Sequence, residues 1–127
     1  MDDKILGGMQ LASRGAAKEA LEALALPEDL RAFLETHDGG RGKVGGRPLV
    51  LWSAQQIGEE AQAQEVALAI PGLVLFGTDG GAEGYGYLPR LQRKRYGRIS
   101  LMAAGAHEFE GLGDTLEELL TALAQGR

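Results

Sequence analysis

Residues Leu73 to Tyr87 read LVLFGTDGGAEGYGY, and this stretch decides the fold. Leu73 to Phe76 is a short continuous apolar run, as in a strand buried on both sides. Asp79-Gly80-Gly81 is turn chemistry, because aspartate bonds its own backbone and glycine accepts positive φ. Glu83 to Leu88 then alternates. Glu83, Tyr85 and Tyr87 share one face, and Gly84, Gly86 and Leu88 share the other. A strand face with two glycines lets a neighbouring group come close. Tyr96 to Met102 predicts a further strand beyond an arginine-rich connection. Successive strands joined by short turns point to an antiparallel sheet.

The flanks supply helices. In LPEDLRAFLETHDGG, Leu26 to Gly40, Pro27 suits a first helical position, with Glu28 and Asp29 in the first turn. Leu30, Phe33, Leu34 and His37 repeat at helical spacing, and Gly39 and Gly40 end the run. Upstream, Ala17, Ala20, Leu21 and Leu24 mark a partner helix. Arg47 to Trp52 predicts a strand. Ser53 and Gln56 then form a capping-box pattern for a helix starting near Ala54 and ending before Pro71. Asp114 as N-cap, Glu117 at N3 and a stripe of Leu116, Leu119, Leu120 and Leu123 predict the closing helix. The fold class is α+β. A mostly antiparallel sheet is flanked by an N-terminal helix pair, a middle helix and a C-terminal helix. Met1 to Ser13 carries little pattern and reads as partly disordered.

A length of 127 residues fits a single domain, 1–127. The net charge of -5 argues against general attraction to nucleic acid or anionic lipid. With no cysteine there is neither disulfide nor thiolate metal site. No apolar run reaches the roughly 20 residues that span a bilayer. The acidic start Met1-Asp2-Asp3 is unlike a secretory signal, so cytoplasm is the expected location.

Chemical motifs are weak. Gly40, Gly42 and Gly45 spell G-x-G-x-x-G, but after a helix and before a strand, so they read as a flexible loop and not a dinucleotide site. His37 reads as a structural residue near its helix end. His107 with Glu108 and Glu110 lacks metal-ligand spacing. Asp79 reads first as a turn former. No serine has a nucleophile-elbow setting. We therefore expect no catalytic residues, no metal and no cofactor. Arg90, Arg93, Lys94, Arg95 and Arg98 form a basic cluster in an acidic chain, expected as a solvated hairpin that suits carboxylate or phosphate. Trp52 reads as core, whereas Tyr85 and Tyr87 are interface candidates.

Four stretches together resemble the SUKH superfamily: LPEDLRAFLETHDGG, LVLWSAQQI, LVLFGTDGGAEGYGY and GLGDTLEELL. They stand in the family's order and span Ala17 to Leu123. A short join between the first two helices and the arginine-rich hairpin depart from its pattern. The resemblance implies a protein-binding domain without shared catalytic residues. Bacterial members are often cytoplasmic immunity proteins that neutralise a cognate toxin, frequently a nuclease. Fungal members regulate cell-wall assembly and signalling. The expected activity is toxin neutralisation by occlusion, through Asp79, Glu83, Tyr85, Tyr87, Arg93, Lys94 and Arg95. The alternatives are a regulatory or scaffold module and a nucleic-acid-binding protein using Arg90 to Arg98.

Overall fold

The computed structural model describes residues 3–127. Met1 and Asp2, part of the segment expected to be partly disordered, lie outside the described residues. The chain begins with helix α1 (Asp3–Leu6) and strand β1 (Met9–Leu11). The helix pair is α2 (Lys18–Glu22) and α3 (Glu28–Thr36), then come β2 (Gly40–Val44) and β3 (Arg47–Leu51). Helices α4 (Ala54–Glu59) and α5 (Ala61–Ala69) lead into β4 (Val74–Thr78), β5 (Glu83–Tyr87) and β6 (Tyr96–Ser100). A 3-10 turn (Ala106–Glu108), β7 (Glu110–Gly113) and α6 (Leu116–Ala124) complete the chain. The class is α+β, as the alternation and turn signals imply. All strands lie in one sheet in chain order, every neighbouring pair antiparallel. Among the described residues, no helix is long and apolar enough to cross a membrane.

Several local expectations are corrected. The glycines 40, 42 and 45 do not make a flexible loop. Gly40 and Gly42 belong to β2, against which β1 lies so closely that a Cβ at Gly42 would stand 2.1 Å from the Gly8 carbonyl oxygen. Gly45 and Gly46, at φ 60 and 79, then form the two-residue turn that an antiparallel hairpin's twist favours. The middle helix breaks at Glu60, an extended residue that ends α4 and starts α5. Strand β7 has glycines where β-branched residues would have signalled it.

Capping explains the helix boundaries. Ser53 and Gln56 form the expected reciprocal box at α4. The Asp38 carboxylate also accepts from Ala54 N at 2.8 Å. The N-cap of α6 is Thr115, not Asp114: its hydroxyl accepts from Glu118 N at 3.1 Å. Helix α3 starts at Glu28, one residue after the expected Pro27. It ends at Thr36, and His37 is already extended, its Nδ1 bonding the Ala12 carbonyl at 2.8 Å.

Two cross-strand rows describe the layers. Leu11, Gly40, Leu51, Gly77, Tyr85 and Arg98 pair in succession on one face. Helices α3 and α6 cover this face, and their buried leucines meet Val44, Leu49 and Leu51 in one core. Burying such a side chain is worth about 1.5–3 kcal/mol. The adjacent row, Gln10, Arg41, Val50, Thr78, Gly84 and Ile99, points the other way. There α5 packs on β4, and Leu73, Leu75 and Leu101 fill the space over Gly84 and Gly86. A bulge at Phe76 interrupts the alternation of β4 and lets this ring meet Tyr96 edge-on, centroids 5.9 Å apart.

Candidate partner-binding surface

Tyr87 ends β5 and is half-buried. Its ring packs on Tyr96, 4.9 Å between centroids. Tyr96 is itself buried, and its hydroxyl donates to Asp29 Oδ1. The second oxygen of Asp29 accepts from Leu116 N at 2.7 Å. One carboxylate of α3 thus ties together β6 and the start of α6, where negative charge suits the helix dipole. Burial, and then the Asp29 hydrogen bond, push the Tyr96 hydroxyl well above the usual tyrosine range. An open groove results, lined by Pro27, Glu28, Asp29, Ala32, Tyr87 and Asp114. Its floor is a fixed aromatic pair and its rim is acidic.

The basic segment flanks this groove. Lys94 N donates to Asp114 Oδ1 at 2.6 Å, and Lys94 holds a positive φ of 51. Arg90, Arg93 and Lys94 are exposed, whereas Arg95 is half-buried and donates to the Leu91 carbonyl at 2.5 Å. Arg98 is not at a solvated tip. It lies within β6 and pairs with Glu110 at 2.7 Å. The expected cluster therefore separates into three exposed cations, one anchored in the loop and one engaged in the sheet. That reduces the support for a nucleic-acid surface along Arg90 to Arg98.

Tyr85 is only 2% exposed, so the expectation that it meets a partner is corrected. The register turns it into the face covered by α3 and α6. Burial first, and then the nearby Asp79 charge, push its hydroxyl pKa up. Asp79 makes the turn: its Oδ1 accepts from Gly81 N at 2.8 Å and from Glu83 N at 3.3 Å. Glu83 is half-buried at the start of β5, the end of the strand away from Tyr87. Trp52 is core at 6% exposure.

Among the described residues, no group of three or more His, Asp or Glu side chains is placed to hold a metal. Glu108 accepts from Ala104 N at 2.8 Å and Glu110 faces Arg98, so both carboxylates near His107 already have partners. The sequence reading missed Asp29 as the groove's anchor. Its only signal was a carboxylate in a first helical turn, which dipole compensation explains equally well.

With this geometry in place, residues 16–122 match the SMI1 / KNR4 family, SUKH-1. The chain belongs to this family. The match runs from the segment before α2 into α6 and covers the groove and the basic loop. No curated protein matches the chain. SUKH-1 membership fits immunity or regulatory roles exercised by binding protein.

Proposed function

We propose that this SUKH-1 protein binds a cognate toxin and neutralises it by covering its active site. The observation that carries this reading is the Tyr87 groove. A half-buried aromatic ring on a rigid floor loses little entropy on contact, and aromatic residues of this kind dominate interface energetics. The acidic rim of Glu28 and Asp114, in a chain of net charge -5, complements the basic cleft of a nuclease. Arg93 and Lys94 extend the contact on one flank and select an acidic patch beside that cleft. Glu83 lies four residues, about 13 Å, along β5 from Tyr87, and Asp79 sits in the turn before it, at the margin of such a contact.

The test is capture of proteins encoded beside the gene by the tagged full chain, followed by assay of the captured protein alone and in complex. A stoichiometric complex whose toxic activity is lost supports the reading. A complex that keeps its activity favours the regulatory module instead, and failure to capture any neighbour-encoded protein counts against both.

A further inference from the structure

The sheet face opposite the Tyr87 groove is covered over only part of its width. Along the row from Gln10 to Ile99, burial rises from strand to strand: Gln10 and Arg41 are exposed, Val50 and Thr78 half-buried, Gly84 and Ile99 buried. The cover there is α5, packed on β4, together with Leu75 and Leu101. Beyond it, β1, β2 and β3 present a bare, shallow groove of about 480 Å³.

The charged side chains that β2 presents on this bare half are both basic; Asp79 of the β4–β5 turn lines the groove's far end, its Oδ1 engaged by Gly81 N and Glu83 N. Arg41 and Lys43 stand two residues apart on β2 and so point the same way, about 7 Å from each other. Opposite them in register are Val50 and Pro48 on β3, an apolar strip beside a row of cations. Among the described residues, neither Arg41 nor Lys43 has an ion-pair partner. Cations next to apolar surface on an otherwise acidic protein are complementary to carboxylates carried on aliphatic stems. Alternate residues of an extended chain repeat at the same spacing of about 7 Å.

We propose that the outer face of β1, β2 and β3 docks an acidic, extended segment of a partner protein whose alternate residues are glutamates. Their carboxylates meet Arg41 and Lys43, and their stems lie over Pro48 and Val50. This face is on the other side of the sheet from the Tyr87 groove, so the inference stands independently of toxin binding. Both surfaces can be occupied together.

Amide chemical shifts of the 15N-labelled full chain test this. The probe is a capped Glu-Thr-Glu-Thr-Glu peptide; its control is Glu-Glu-Thr-Thr-Glu, of the same composition and charge. We expect the alternating peptide to shift Gln10, Arg41, Lys43, Val50 and Thr78, and to bind more tightly than the control. Arg41→Gln with Lys43→Gln should weaken binding about threefold to tenfold, the sum expected of two exposed ion pairs. Pro48→Glu, an exposed site, should weaken it independently by repulsion. No shifts at millimolar peptide, shifts centred on Arg93 to Arg95, or equal binding of both peptides would overturn the proposal. Tighter binding of oligothymidylate of equal charge to this face would make nucleic acid the occupant and overturn it too. Concentration-dependent shifts there without peptide would assign the face to a second copy of the chain, with the same consequence.

Discussion

Asp29 is the residue on which the groove depends most. Asp29→Ala leaves the Tyr96 hydroxyl and Leu116 N without their partner. Hydrogen bonds to a charged group are worth about 1.5–3 kcal/mol, and a loss of that size is expected in chemical denaturation. The same contact sets an alkaline limit. Tyr96 holds its proton more strongly folded than unfolded. Its contribution is therefore complete below the unfolded value near pH 10 and is lost as pH rises above it. Unfolding free energy should decline above about pH 10, and Tyr96→Phe should flatten that decline. Gly86 is the second test at this scale. A Cβ there would lie 3.0 Å from both Leu75 Cδ2 and the Val74 carbonyl. Gly86→Val should cost about 1–3 kcal/mol by overpacking. An unchanged denaturation midpoint would mean that this face is open.

Elements whose signal is side-chain periodicity were legible, and those built by close backbone approach were not. Leu116, Leu119, Leu120 and Leu123 announced α6, and Ser53 with Gln56 announced the start of α4. Gly40 and Gly42 concealed β2, because glycine is read as loop although here it admits β1. Strand β7 was hidden for a similar reason, with a Cβ at Gly111 falling 2.4 Å from the Lys94 carbonyl oxygen. The basic loop was legible as composition but not as structure. Five cations in nine residues look alike in sequence, yet one is held in the loop and one faces Glu110. Replacing Arg93 and Lys94 by glutamine should leave stability within about 0.5 kcal/mol, as expected of exposed sites. Adding Arg95→Gln should cost about a further 1 kcal/mol, because a hydrogen bond to the Leu91 carbonyl is lost. Equal stability of the two variants would show that this bond does not hold the loop.

At the scale of the molecule, a single antiparallel meander separates two unlike surfaces. One carries Tyr87 between acidic helix starts, and the other carries Arg41 and Lys43 beside an apolar strip. The four motifs in their order pointed to the family, and the match over residues 16–122 shows it. The candidate site was legible only in part. Tyr85 and Tyr87 share one face of β5, and the alternation alone does not separate them. Which of the two reaches solvent depends on where α3 and α6 end, and a strand's own sequence does not carry that. The most direct test of toxin masking is a titration of the neighbour-encoded toxin's activity with the full chain and with its Tyr87→Ala variant. The expected result is complete loss of activity at one-to-one stoichiometry, with the variant needing about tenfold or more excess, as for a hot-spot truncation of at least about 1.4 kcal/mol. Toxin that stays active in a saturated complex, or a Tyr87→Ala variant that inhibits as well as the natural chain, contradicts it.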